Sequence, residues 1–125
     1  MYRFRGRTPQ KQWVEGYYFA KPILDKYFII EGENQWMVEK QTIGMYSRVH
    51  DKNQKALFEG DIVRYPWWTR TMEKQDIHMV ITFKEGEFVL EPPRGVEGVW
   101  PIRICGESEH MEHIGNIYDN PELMN

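Results

Sequence analysis

Apolar and polar positions alternate along much of the chain, and no helical period survives across residues 13–46. At the start, Tyr2 and Phe4 share one face of an extended segment while Arg3 and Arg5 share the other, and Gly6 is expected to end it. Trp13-Val14-Glu15-Gly16-Tyr17-Tyr18-Phe19 and Lys26-Tyr27-Phe28-Ile29-Ile30-Glu31 are aromatic and β-branched, which predicts adjacent strands separated by Lys21-Pro22-Ile23-Leu24-Asp25. Gly32-Glu33-Asn34-Gln35 is turn chemistry. Trp36-Met37-Val38 and Thr42-Ile43-Gly44-Met45-Tyr46 then offer two further short strands.

The second half carries sharper punctuation. Asp51-Lys52-Asn53-Gln54-Lys55 reads as a tight polar turn, because Asp and Asn can bond the backbone just ahead of them. It feeds Ala56-Leu57-Phe58, and Glu59-Gly60-Asp61 then makes a corner before Ile62-Val63-Arg64-Tyr65. Ile77, Met79, Ile81 and Phe83 alternate with His78, Val80 and Thr82, and Lys84-Glu85-Gly86-Glu87 turns that strand into Phe88-Val89-Leu90, the clearest hairpin in the chain. Pro92-Pro93-Arg94-Gly95-Val96-Glu97-Gly98 is dense in breakers and predicts a loop, and Pro101 confines the following Val99–Ile104 stretch to a sheet edge. The acidic residues 107–112 suit one helical turn, and Ile114-Gly115-Asn116-Ile117-Tyr118 returns to strand character. Asp119 or Asn120 is placed to cap a short terminal turn opened by Pro121. The prediction is an all-β, mainly β chain of short antiparallel strands, curled into a small barrel or pseudobarrel, with one or two short helical turns.

Composition narrows the picture. The 125 residues match the commonest size of one domain, so residues 1–125 are expected to form a single domain. Cys105 has no partner for an intrachain disulfide, which fits a reducing compartment such as the cytoplasm, or a fold that needs no staples. The basic N-terminus runs into Thr8-Pro9-Gln10-Lys11 rather than an apolar signal core, and no apolar run approaches the roughly 20 residues that span a bilayer. The net charge of −3 hides an uneven distribution: residues 1–74 carry 13 Lys/Arg against 9 Asp/Glu, and residues 75–125 carry 3 against 10. Such halves attract each other within one chain, or drive self-association between copies.

Four constellations could carry chemistry. His110 and His113, with Cys105, Glu107 and Glu109 nearby, are the one group of metal-competent side chains, but no second pair completes a zinc pattern, so no metal or other cofactor is predicted. Glu59 and Asp61 pair two carboxylates about a glycine, yet a strand corner needs the same residues for backbone reasons. Arg3, Arg5, Arg7 and Lys11 interleave with Tyr2, Phe4 and Trp13, and Arg64, Trp67, Trp68 and Arg70 form a similar mixture, as single-stranded nucleic acid prefers. The acidic balance and the expected burial of Tyr2 and Phe4 beneath the arginines disfavour that reading. Pro66-Trp67-Trp68-Thr69-Arg70-Thr71-Met72 is the segment expected to bind a protein partner, since Trp and Arg anchor interfaces and two adjacent Trp cannot both be buried in a strand; the alternative is a loop plugging a barrel mouth. Trp67, Trp68 and Arg70, with Arg3 and Arg5, are therefore the candidate interaction surface. No phosphate loop, dinucleotide fingerprint, nucleophile elbow or metalloprotease helix occurs, and no enzyme class is predicted.

The pieces Phe4-Arg5-Gly6-Arg7, Trp13-Val14-Glu15-Gly16-Tyr17, Phe58-Glu59-Gly60-Asp61-Ile62-Val63 and Ile114-Gly115-Asn116-Ile117-Tyr118-Asp119-Asn120-Pro121-Glu122-Leu123 resemble, in this order, the YopX-like family of bacteriophage and prophage proteins. The chain departs from that pattern at Tyr46-Ser47-Arg48-Val49-His50-Asp51 and in the Trp67-Trp68-Thr69-Arg70 insertion. The resemblance implies a β-rich, barrel-like phage accessory protein that self-associates, with no activity attached to the family. The expected function is non-enzymatic, through protein contacts or a homo-oligomer, with a nucleic-acid-binding β-barrel module as the alternative.

Overall fold

The computed structural model describes residues 3–125, so the expected pairing of Tyr2 with Phe4 lies outside the described residues. The chain is mainly β: antiparallel strands and isolated 3-10 turns build two sheets, and neither closes into a barrel. Contacts divide it into two compact units, Met1–Tyr46 and Ser47–Asn125.

In the first unit β1 (Phe4–Arg7), β2 (Trp13–Lys21), β3 (Lys26–Glu31) and β4 (Asn34–Met37) are joined by the start of β5 (Gly44–His50), in the order β4-β3-β2-β1-β5. Strand β2 serves two neighbours: residues 13–16 pair with β1, and residues 17–21 pair with β3. The change of partner falls at Gly16, where a Cβ would lie 2.2 Å from the carbonyl oxygen of Ile30, so no larger residue fits the crossing. Gly6 does not end its strand as expected. It lies inside β1, where its lack of a side chain leaves room for Val38. The core is small: Val14, Tyr27, Ile29 and Val38 are buried, with Phe4, Ala20, Trp36 and Ile43 packed around them. Polar groups finish it. The buried Thr42 hydroxyl donates to the Glu39 carbonyl at 2.6 Å and accepts the Arg7 amide at 2.9 Å.

The second unit takes the end of β5 and adds β6 (Ala56–Phe58), β7 (Asp61–Trp68), β8 (Lys74–Lys84), β9 (Glu87–Glu91), β10 (Ile102–Arg103) and β11 (Glu112–Asn116). The last five form one sheet, ordered β10-β9-β8-β7-β11. Leu57, Val63, Met79, Ile81, Leu90, Ile104 and Met111 pack as one buried cluster, and Met79 and Ile81 follow the alternation seen in the sequence. The β8–β9 turn places Glu85 and Gly86 at φ 50° and 83°, the two left-handed positions of the tight hairpin turn that suits strand twist. Strand β10 is short and at the edge, as Pro101 demanded. Asp51 builds the turn before β6 as expected: its Oδ1 accepts the amides of Asn53 and Lys55, both at 2.9 Å. The 3-10 turns Ser108–His110 and Pro121–Met124 occupy the two predicted helical positions.

Candidate functional site

Beyond Gly16, the hairpin of β2 and β3 with β4 at its side forms an arm of the first sheet. The register Phe19↔Phe28↔Met37 and Tyr17↔Ile30 places Tyr17, Phe19, Phe28, Ile30 and Met37 on one face, because opposed residues in an antiparallel pair share a side. The other face carries Ala20, Tyr27, Ile29 and Trp36 into the core of the first unit. Much of the first face is open: Phe19 stays 44% exposed, Met37 48% and Tyr17 52%, with Phe28 and Ile30 half-buried between them. The tip is more open still, with Ile23 at 99%. Charge is polarised along the arm. Lys21 and Lys26 oppose each other near the tip, and Glu31 and Glu33 stand at the far end.

The basic strip at the N-terminus is occupied by its own chain. Arg3 is ion-paired with Glu15 and lies over the Tyr46 ring, 5.1 Å from its centre. Phe4 packs against the core as expected, but Arg5 is buried too, and its guanidinium stacks 4.6 Å from the centre of the Trp13 ring. Arg7 and Lys11 both bond Glu39, at 3.3 Å and 3.1 Å; the Lys11 and Arg7 bonds hold the Glu39 carboxyl below its ordinary range. Cations committed in this way are poorly placed to release counterions from a phosphate backbone.

Trp67 and Trp68 lie in the second unit, and on a strand rather than in a loop. Strand β7 runs on through them, paired with Gln75 and Lys74 of β8, while its pairing with β11 ends at Arg64. Past that point one side of β7 is a free edge, where a residue lacking an N–H such as Pro66 is tolerated. Alternation sends the two rings to opposite faces. Trp67 is half-buried beside Tyr65, donates from Nε1 to the Gly98 carbonyl at 3.0 Å, and meets the Trp100 ring edge-on at 4.9 Å. Trp68 is 58% exposed, as expected of one member of the pair. With Thr69, Arg70, Gln75, Glu97, Gly98 and Val99 these three tryptophans line an open cleft of about 580 Å3. Trp100 was not singled out in the sequence. Its signal was its position after a breaker-rich loop, which lets the chain fold back over the Trp67 ring.

The acidic and histidine residues resolve into framework. His110 sits on a 3-10 turn with its ring edge-on to Tyr65, whereas His113 is on β11 with Nε2 3.1 Å from Oδ1 of Asp61. No group of three or more metal-competent side chains gathers among the described residues. Asp61 is fully buried and its Oδ2 accepts the Phe58 amide at 2.7 Å, closing the corner. Glu59 is in the turn and Asp61 opens the strand, with the Asp61 carboxylate committed to the Phe58 amide and to His113. His113 is a partner for Asp61 that the sequence did not reveal, being 52 residues away. Asp51 ties the same region together by accepting the His113 amide at 2.8 Å. Burial alone would raise the Asp51 carboxyl, but the amides of His113, Lys55 and Asn53 outweigh it and hold the group below its ordinary value. The Tyr65 phenol is pushed up by burial and by its bond to Glu107. The terminal signature closes on itself in the same manner. Asn116 Oδ1 accepts the amides of Tyr118 and Asp119, both at 2.9 Å, and a Cβ on Gly115 would lie 2.5 Å from Oδ1 of Asn120.

No curated protein sequence matches the chain. Among solved structures, protein EF1440 from Enterococcus faecalis shares the fold with a TM-score of 0.59 at 20% identity, over 100% of this chain and 99% of that one. The family model described as YopX protein matches residues 4–125, spanning both units and every one of the ordered sequence blocks, and the chain belongs to the YopX family.

Proposed function

We propose that this chain is a phage- or prophage-encoded accessory protein that acts without catalysis, through contact with protein, and that its first partner is a second copy of itself. One observation carries the reading: the uncovered apolar face of the β2–β3–β4 arm, formed by Tyr17, Phe19, Phe28, Ile30 and Met37 and extended at the tip by Ile23 and Leu24. Contiguous exposed apolar surface on a sheet marks an interaction site, and an open edge strand such as β4 adds unpaired backbone groups to it. The charges favour the arm of another copy as the occupant. When two such arms pack face to face about a two-fold axis, running in opposite directions, Lys21 and Lys26, which share the apolar face of each arm, approach the turn that carries Glu33 in the other. A bacterial cytoplasm suits a chain whose single Cys105 is exposed and unpaired.

Light scattering on the eluting full chain at micromolar concentration tests the reading. The expected result is a homo-oligomer that dissociates in the double variant Phe19→Glu, Met37→Glu with an unchanged far-ultraviolet circular dichroism spectrum. A strict monomer, or an oligomer indifferent to the double variant, overturns it.

A further inference from the structure

The tryptophan cleft of the second unit is independent of the arm, and its chemistry is different. Its aromatic surface is large and presented, with Trp68 58% and Trp100 61% exposed, while Trp67 is fixed beneath by its bond to Gly98. Its rim is polar and uncommitted: the Arg70 guanidinium, the Glu97 carboxylate and the Gln75 amide make no ion pair or side-chain hydrogen bond with the described residues. Most other arginines of the chain are paired or stacked, including Arg3, Arg5, Arg7, Arg64 and Arg103. The volume of about 580 Å3 falls in the range of small-molecule sites.

These features select a ligand by elimination. A purely apolar molecule would desolvate Arg70 and Glu97 without bonding them. A nucleic acid would bring its phosphates to a unit that holds 9 Lys/Arg against 14 Asp/Glu. The ligand must be neutral, because Arg70 and Glu97 cancel. It must both donate and accept, because the rim offers N–H groups and a carboxylate. It must also present flat C–H faces to the rings, whose negative π faces attract polarised C–H bonds. We infer that the cleft binds a neutral oligosaccharide, with a pyranose face stacked on Trp100 and hydroxyl groups bonded to Glu97, Gln75 and Arg70.

The test is a printed array of neutral and anionic oligosaccharides probed with the fluorescently tagged full chain. The best glycan is then titrated against tryptophan emission up to about 10 mM, together with a proline-rich decapeptide and oligo(dT) as competitors for the same reading. The expected result is saturable binding of a neutral glycan, weakened about tenfold or more by Trp100→Ala and several-fold by Glu97→Gln. Both side chains are exposed, so both variants keep the wild-type circular dichroism spectrum. Silence across the array overturns the inference. So does glycan binding that survives Trp100→Ala, or a preference for anionic glycans, oligo(dT) or the peptide over every neutral glycan.

Discussion

The two units solve the same problem, burying enough of a small β-sheet, with different means. The unit of residues 47–125 encloses one continuous apolar cluster, in which Leu57, Val63, Met79, Ile81 and Leu90 have no exposed surface. Among its described residues the unit of residues 1–46 gathers a core of Val14, Tyr27, Ile29 and Val38, and completes its interior with a buried arginine on a tryptophan ring and a buried threonine hydroxyl. It also leaves an apolar sheet face outside. The contrast teaches that a sheet can be short of core and rich in aromatic residues at the same time, when the surplus faces outward.

The sharpest way to break this comparison is to cut into each core. Ile81→Ala should cost about 2–5 kcal/mol, the usual range for truncating a fully buried Ile, and Ile29→Ala should fall near its lower end because the partly exposed rim of the smaller core can relax around the gap. Urea unfolding followed by circular dichroism measures both, and a larger loss at Ile29 would reverse the ranking. Next is the crossing in the smaller unit. Gly16→Ala should cost about 1–3 kcal/mol, since the new methyl meets backbone that cannot swing aside; thermal unfolding reads this as a lowered Tm.

A smaller effect distinguishes the larger unit by its response to acid. The folded pKa of Asp51 lies below its unfolded value of about 3.9, so as pH falls the unfolded chain takes up this proton first. The stabilisation is complete above that value and is lost as pH drops through the folded pKa. Asp51→Asn should flatten this part of the stability curve below about pH 4, measured by urea midpoints across the acid range. The smallest effect belongs to the half-exposed ion pair of Arg3 and Glu15. Glu15→Gln should change stability by about 0–1 kcal/mol, with the difference shrinking in high salt.

What the sequence made legible was local. The period of two at Ile77, Met79 and Ile81, the Glu85-Gly86 turn and the Asp51 turn each need only neighbouring residues, and each stands where it was expected. What stayed hidden depends on distant partners. Gly6 looked like a terminator, because nothing near it in the chain announces Val38. Arg5 looked like a surface cation until Trp13 came to lie against it. Trp67 and Trp68 were expected in the interaction surface, and the strand was expected only over Ile62-Val63-Arg64-Tyr65, whereas it runs on through both. The missing fact was that β11 stops at Arg64 and leaves that edge free. Asp61 was recognised as a corner residue from its glycine, while its contact with His113 required the β7–β11 register.

The turn between β7 and β8 is closed by its own residues: the Thr69 amide bonds the Glu73 carbonyl at 2.9 Å, and the Thr69 hydroxyl accepts the Glu73 amide at 3.1 Å. The strand leading into it has no neighbour on its outer edge after Arg64. Evolution and the laboratory are thereby offered the same opening. Foreign residues spliced between Thr69 and Glu73 would lengthen a hairpin that already stands clear of the cluster around Met79, so this end of the molecule can serve as a display scaffold, changing its vocabulary while the rest of the sheet keeps its grammar.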